Sequence, residues 1–463
     1  MVAIEDFAGA DFGDERLTKR LLRIVEGLAP KPGASLPDAA KDDAELEGTY
    51  RFLQNEKVTP EGILAPHYAA TARRAHEAGV VLCAHDTTEF SYSTEREGMG
   101  RINDGGRGFF AHIALAIQAD EARSPLGVIG LLTHVRRGTP RRDKRTDRVA
   151  PKERESYRWT ELVDAVEGRL QGHAEAVHLL DSEADAYLLL EHMIQDGVRF
   201  VVRATHKRAV TPAAGGDRLP LSDTLAFLEG VFERRVLLSS RVAPPGRPRN
   251  RNQARDARLA HLSFAATRAT LHRPTTEQAK TRSLVVHVVH VRELDAPEGA
   301  EPVDWTLYTT EPIATGEDIE RVVDFYRARW RIEELFKALK TGCSFEKRQL
   351  ESLSTLLNAL AVFLPIACDL LALRTLATAD PKRPAREVLP PRVLLLLQRH
   401  PRTKLPVDAS IHDAMLAVAR FGGHIKNNGP PGWLVLGRGY EEVLGLAEGL
   451  AIGLALSPRC DQS

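Results

Sequence analysis

At 463 residues the chain is long enough for about three domains, and its 43% hydrophobic and 27% charged residues are ordinary for a globular protein. Lysine plus arginine equals aspartate plus glutamate at 63 each, so net charge gives no pointer to nucleic acid and only its distribution can. No run of about 18 apolar residues marks a membrane span. The acidic, broken start MVAIEDFAGADF is unlike a signal peptide, so a cytoplasmic protein is expected. Cys83, Cys343, Cys368 and Cys460 lack metal-ligand spacing and are expected as buried thiols.

Residues 1–65 read as a small helical unit. GDERLTKRLLRIVEGLA is amphipathic, with Leu17, Leu21, Leu22, Ile24 and Val25 apolar and Arg16, Lys19, Arg20 and Arg23 basic. PKPGASLP separates it from a second helix through AELEGTYRFLQN. Two short helices with a basic flank suit DNA binding and suit a plain helical cap equally well. After a helix at HYAATARRAHEAG, the apolar run VVLCAH predicts a buried strand ending at Asp86. FFAHIALAIQ and LGVIGLLTH follow at hairpin spacing. Then come a helix (ESYRWTELVDAVEGRLQ), a strand with Asp181 at its end (AVHLLD), a helix (SEADAYLLLEHMIQDG) and a strand (VRFVVRA). Three strands, then helix, strand, helix, strand, is the order of a ribonuclease-H-like α/β fold, a mixed sheet flanked by helices. A β-rich insertion, about 206–310, comes next, containing RRVLLSSRVA, LAHLSFAATRATLH, SLVVHVVHVREL and WTLYTT. Further on, LSTLLNALAVFLPIACDLLALRTLA is interrupted by Asn358, Pro365 and Asp369, which predicts a core helix rather than a lipid-facing one. The C-terminal region, with SIHDAMLAVARFGGHI and YEEVLGLAEGLAIGLAL, is helical. Basic blocks at Arg136 to Arg158, Arg241 to Arg258 and Lys382 to Lys404 are candidates for a phosphate-binding surface or for solvated loops.

The stretch DIERVVDFYRARWRIEELFKALK, Asp318 to Lys340, predicts one long helix, started by Thr315 and Asp318 at capping-box spacing and stopped at Gly342. At ~100° per residue, Tyr326, Arg329, Glu333, Lys337 and Lys340 share a stripe roughly 80° wide. Phe325, Ile332, Phe336 and Leu339 form an adjacent arc of about 60° suited to burial. Glu333 lies near the middle of the stripe, whereas Glu334 points roughly 100° away, so Glu333 is the better candidate for chemistry. By itself such a stripe also fits a solvated face of ion pairs. Asp86, Asp181 and Glu333 change the balance: strand ends in a ribonuclease-H-like sheet are neighbours, and three carboxylates at close range are relieved by two Mg²⁺ ions about 3.5–4 Å apart.

YRARWRIEELFKALK resembles the Y-(2)-R-(3)-E-(6)-K signature of bacterial DDE transposases of the insertion-sequence-four family. HDTTEFSY is similar to that family's first-aspartate motif, and LLDSEADAYLL, followed by FVVRATH, to its second. GDERLTKR and GTYRFLQN resemble its N-terminal domain, and FGGHI with PGW its C-terminal one. The resemblance implies a helical DNA-binding domain at 1–65, a ribonuclease-H-like catalytic domain at 66–378, and a helical dimerisation region at 379–463. It implies Asp86, Asp181 and Glu333 as ligands of two Mg²⁺ ions, with Mn²⁺ able to take their place. Tyr326, Arg329 and Lys340 would hold the DNA end, with Lys337 and Arg203 added to that set. Trp305 would stack on a flipped base, worth roughly 1–3 kcal/mol, and Arg16 and Arg20 would touch the transposon end. The implied activity is cut-and-paste transposition: nicking, hairpin formation, hairpin opening and strand transfer. Its partners would be terminal inverted repeats, target DNA and a second copy of the chain in a synaptic complex, with no membrane. The rival expectations are a ribonuclease-H-like structure-specific nuclease and an inactive DNA-binding inhibitor of transposition. Trp330 sits among the helix contacts, and Trp159 and Trp433 are read as packing.

Overall fold

A computed structural model describes residues 4–103, 105–136, 152, 154–213, 215–238, 256–425 and 430–456. Most of the basic blocks at 136–158 and 241–258, together with Cys460, lies outside these residues. The chain divides into two compact units, one of Met1–Arg141, Asp164–Glu175 and Trp330–Ser463, the other of Arg142–Val163 and Ala176–Arg329.

The first unit opens with helices α1 (Glu15–Leu28), α2 (Leu36–Ala39), α3 (Asp43–Leu53) and α4 (Pro60–Ala78). Each starts on a side-chain cap (Asp14, Ser35, Asp42 and Thr59), which satisfies an otherwise unpaired N-terminal N–H. Leu21, Ile24, Val25 and Leu28 bury one face of α1, as its periodicity predicts. The strands β1 (Val80–Tyr92), β2 (Gly100–Arg101), β3 (Arg107–Gln118) and β4 (Pro125–His134) follow, with β1, β2 and β4 each antiparallel to β3. The expected end of β1 at Asp86 is corrected: the ladder with β3 continues to Tyr92, and Asp86 stands opposite Ile113 in mid-strand. The polar run DTTEFSY alternates instead of breaking, so pairing continues.

Helix α5 (Arg158–Leu170) leads to the second unit, in which β5 (Glu175–Leu180), α6 (Tyr187–Gln195) and β6 (Arg199–Arg203) form a parallel crossover. The insertion supplies β7 (Ala209–Pro212), β8 (Leu219–Pro220), α7 (Leu221–Ala226), β9 (Phe232–Leu238), β10 (Arg258–His272), β11 (Ser283–Glu293) and β12 (Asp304–Thr309). These strands extend the sheet, because β12 pairs antiparallel with β6 on one side and β11 on the other. Trp159, Leu180, Tyr187, Phe200, Val288 and Tyr308 are buried in this unit's core, and Trp159 is packing, as expected. Helix α8 (Gly316–Ala328) lies on β6, β10 and β11.

The first unit resumes with α9 (Trp330–Lys337), α10 (Leu353–Ala379), α11 (Pro391–Arg399), α12 (Ile411–Phe421) and α13 (Trp433–Leu456). Length and composition would let α10 cross a membrane, but 83% of its most apolar window is buried against protein. That matches the expected core helix. Asn358 on α10 is buried and donates to the carbonyls of Leu53 and Val58, tying α10 to the end of α3. Cys83, Cys343 and Cys368 are buried free thiols.

The expected single helix from Asp318 to Lys340 is corrected. The capping box is present, with Thr315 and Asp318 exchanging hydrogen bonds of 3.1 Å in both directions. Helix α8 then closes at Arg329, whose N–H bonds to the carbonyl three residues back. After α9 the chain widens into a π-helical turn, Ala338–Gly342. A π turn takes more residues per turn, so an angular stripe drawn with one constant period does not hold across it.

Candidate active site

In the second unit, Asp181 stands immediately after β5, as the sequence predicts. It caps a short 3-10 turn, Ser182–Ala184, by accepting 2.8 Å from the N–H of Glu183. Among the described residues no other hydrogen bond or ion pair engages its carboxylate.

Arg203 ends β6 and pairs with Leu307 of β12. Trp305 lies two residues before Leu307 and hence on the same face of the strand. The Arg203 guanidinium therefore sits over the indole, 5.4 Å from the ring centre, and donates 2.8 Å to the carbonyl of Asp304. Tyr326, on α8, meets Trp305 edge-on at 5.7 Å and 75°. Arg329 stands 5.9 Å from the Tyr326 ring centre. Four residues from three separate stretches thus form one strip: guanidinium, indole, phenol, guanidinium. Each cation over a ring contributes about 0.5–2 kcal/mol depending on exposure. Tyr326 is buried, although the sequence placed it on a polar stripe. Burial raises its phenol pKa and the Asp181 charge acts in the same direction, while Arg329 and Arg203 oppose. Trp305 is only half-buried. Such a strip offers two planar forks for phosphate and an aromatic face for a base.

In the first unit, α9 carries Glu333 and packs against β1, the strand of Asp86. Both carboxylates are half-buried, and Asp86 Oδ1 accepts 2.7 Å from the N–H of Thr87. Glu334 accepts 2.7 Å from Arg331. Lys340, in the π turn, donates 2.5 Å to the carbonyl of Glu89 on β1 and lies 3.8 Å from Glu346. Burial pulls its pKa below the usual lysine value, against the opposing charges of Glu346 and Glu89. Lys337 is exposed and lies 5.7 Å from the ring centre of Trp330, which is itself 54% exposed.

Farther along this unit, Arg16 points outward, its side chain 90% exposed, and forks onto Asp14 at 3.0 and 2.8 Å. Arg20 lies across the backbone of α3 at Gly48, where an added Cβ would meet its guanidinium carbon at 2.5 Å. The glycine in GTYRFLQN is thus the seat of this arginine. In the third basic block, Arg383 pairs with Glu387 and Arg402 with Glu442.

One buried pair beside these residues was not anticipated. Asp185 and Arg208 form an ion pair in the second unit, both nearly inaccessible to solvent. The sequence reading placed Asp185 inside a helix, but α6 begins only at Tyr187. Its four-residue spacing from Asp181 within DSEAD was the available signal.

Carboxylate oxygens are hard donors suited to Mg²⁺ or Mn²⁺. Asp86 and Glu333 offer such oxygens on elements that pack together in the first unit, and Asp181, in the second, keeps an oxygen outside its capping bond.

Residues 2–58 match the model of the transposase DNA-binding family, and residues 149–364 that of the transposase DDE domain. The second match includes Asp181 and Glu333 but begins after Asp86. Among solved structures, the chain has a distant likeness to a piggyBac transposase in a synaptic complex with hairpin DNA, at TM-score 0.36 and 12% identity, covering 79% of this chain and 67% of that one. With a transposase DNA-binding domain at its start and a transposase DDE domain that contains Asp181 and Glu333, the chain is a DDE transposase, an enzyme of metal-dependent phosphoryl transfer on DNA.

Proposed function

We propose that this transposase works by cut-and-paste in the cytoplasm, as a homodimer on the inverted repeats of an element of the insertion-sequence-four type. In this reading residues 1–65 bind the transposon end, 66–378 form a ribonuclease-H-like catalytic domain, and 379–463 serve dimerisation. Asp86, Asp181 and Glu333 would hold two Mg²⁺ ions, whose chemistry when bound would be activation of the attacking oxygen and stabilisation of the leaving one. Arg203 and Arg329 fork onto phosphates of the DNA end, Lys337 and Lys340 add point charges, and Arg16 and Arg20 contact the end from α1. Tyr326, edge-on to Trp305, joins them in holding the DNA end. The first attack, by water, frees a 3′-hydroxyl. That hydroxyl attacks the opposite strand to close a hairpin, water opens the hairpin, and the same 3′-hydroxyl then joins target DNA.

Closing a hairpin bends the backbone sharply, and turning one base out of the stack costs a few kcal/mol. Stacking that base on Trp305 returns roughly 1–3 kcal/mol. The observation that supports this reading is the Arg203–Trp305–Tyr326–Arg329 strip, in which a half-buried indole lies along a row that has an arginine at each end. Trp305→Ala is expected to reduce hairpin formation on labelled transposon-end DNA by about tenfold or more, with first-strand nicking much less affected. Equal losses in the two steps would make Trp305 a packing residue and remove the support for hairpinning.

A further inference from the structure

The buried Asp185–Arg208 pair has no part in the reaction as described, yet both groups are charged and withdrawn from water, which is costly unless every bond is made. Here the bonds are made. One oxygen of Asp185 receives Arg208, and the other accepts the N–H groups of Thr205 at 2.8 Å and His206 at 2.7 Å. Arg208 donates a further bond, 2.7 Å, to the carbonyl of Asp185 itself. On one side, Asp185 closes the 3-10 turn whose cap is Asp181, and the carbonyl of Asp181 receives the N–H of Ala184 within that turn. On the other side, Thr205 and His206 directly follow the segment that carries Arg203. A single carboxylate therefore fixes the turn presenting Asp181 to the segment presenting Arg203.

We infer that Asp185, clamped by Arg208, is a positioning residue that sets the carboxylate of Asp181 for metal binding and holds it in register with the phosphate-binding Arg203. The inference rests on the reading of Asp181 as a metal ligand. Groups that orient a ligand in this way cost about 10–100-fold in metal affinity when altered. Asp185→Asn keeps the size and one acceptor but loses the charge that holds the guanidinium. Arg208→Lys keeps the charge but loses the fork.

The test is a titration of the full-length protein with Mn²⁺ alone, in which the electron paramagnetic resonance signal of the free ion reports binding without turnover. Asp185→Asn is expected to raise the half-saturation concentration about 10–100-fold, and Arg208→Lys by a smaller factor. Folded Asp185→Asn protein with a half-saturation within about twofold of wild type, even with a lowered melting temperature, would make the pair merely structural. Should Asp185→Asn fail to fold, Arg208→Lys carries the test by the same criterion. Asp181→Asn separates the two levels. If it loses the ion while Asp185→Asn binds normally, the positioning role alone falls; if it binds Mn²⁺ like wild type, the ligand assignment falls and takes the inference with it.

Discussion

The two halves of the signature stretch are held in different ways. The front half, Tyr326 and Arg329, is fastened by aromatic and cation contacts in the second unit, to a strand tryptophan and through it to Arg203. The rear half, Glu333 to Lys340, is fastened in the first unit by packing of α9 on β1 and by the lysine bond to Glu89. Regular spacing along a helix suggested one continuous face, with Glu333 set apart for metal and Tyr326, Arg329 and Lys340 for DNA. The contacts divide it: the front carries rings and guanidinium groups, the rear a carboxylate on α9 and an ammonium group pinned to β1. A recognition surface of rings and arginines depends on the sheet beneath it. A carboxylate proposed for metal binding depends chiefly on its own charge.

If that contrast holds, loosening the sheet under the front half should damage stability. Glu311 is buried and receives both forks of Arg199, at 2.8 and 2.6 Å. It joins the start of β6 to the end of β12, the two strands that carry Arg203 and Trp305. Glu311→Ala removes both bonds to the guanidinium and is expected to cost about 2 kcal/mol, read as a lower denaturant midpoint. A midpoint equal to wild type would show that the strip does not depend on this staple.

Arg329→Lys asks a narrower question of the front half. The positive charge stays and the planar fork goes, so transposon-end affinity should fall about tenfold, roughly 1.4 kcal/mol, with the melting temperature little changed. Unchanged affinity would reduce Arg329 to a point charge.

The smallest effect belongs to the rear half and is read in pH. The pKa of Lys340 is lower in the folded chain than the ordinary value of 10.5, so between the two the unfolded chain binds more protons. Stability should then rise with pH through that window. Lys340→Met removes this contribution, and the wild-type minus variant difference in urea midpoints should grow in favour of wild type as pH increases towards about 10. A difference independent of pH would mean that the lysine is not held as the structure shows it.

Much of this was legible in the sequence, for identifiable reasons. Periodicity gave α1 and α12, and apolar runs gave α10, β1, β3, β4, β5 and β6. The capping box at Thr315 and Asp318 was read correctly because it is local chemistry. The end of β1 was misplaced because polar residues after Asp86 looked like a turn, whereas pairing with β3 continues through them. The turn at Arg329, whose backbone stays in the right-handed helical region, and the π turn at Ala338–Gly342 leave no mark in residue type. Asp185 escaped notice because an aspartate before an apolar run reads as an ordinary helix start, and its partner Arg208 lies beyond a strand. The strip around Trp305 needed the β6–β12 register, which composition does not encode.

The most direct test of the division within the signature stretch is Glu333→Gln, assayed for both activities on the same transposon-end DNA. Charge at the metal site is lost while the rings and guanidinium groups stay in place. Mg²⁺-dependent nicking and hairpin formation should fall about 10³-fold or more, with end binding by gel shift largely intact. Undiminished cleavage by the variant would contradict the assignment of Glu333 to the metal. Loss of end binding in parallel with cleavage would contradict the separation of roles between the two halves.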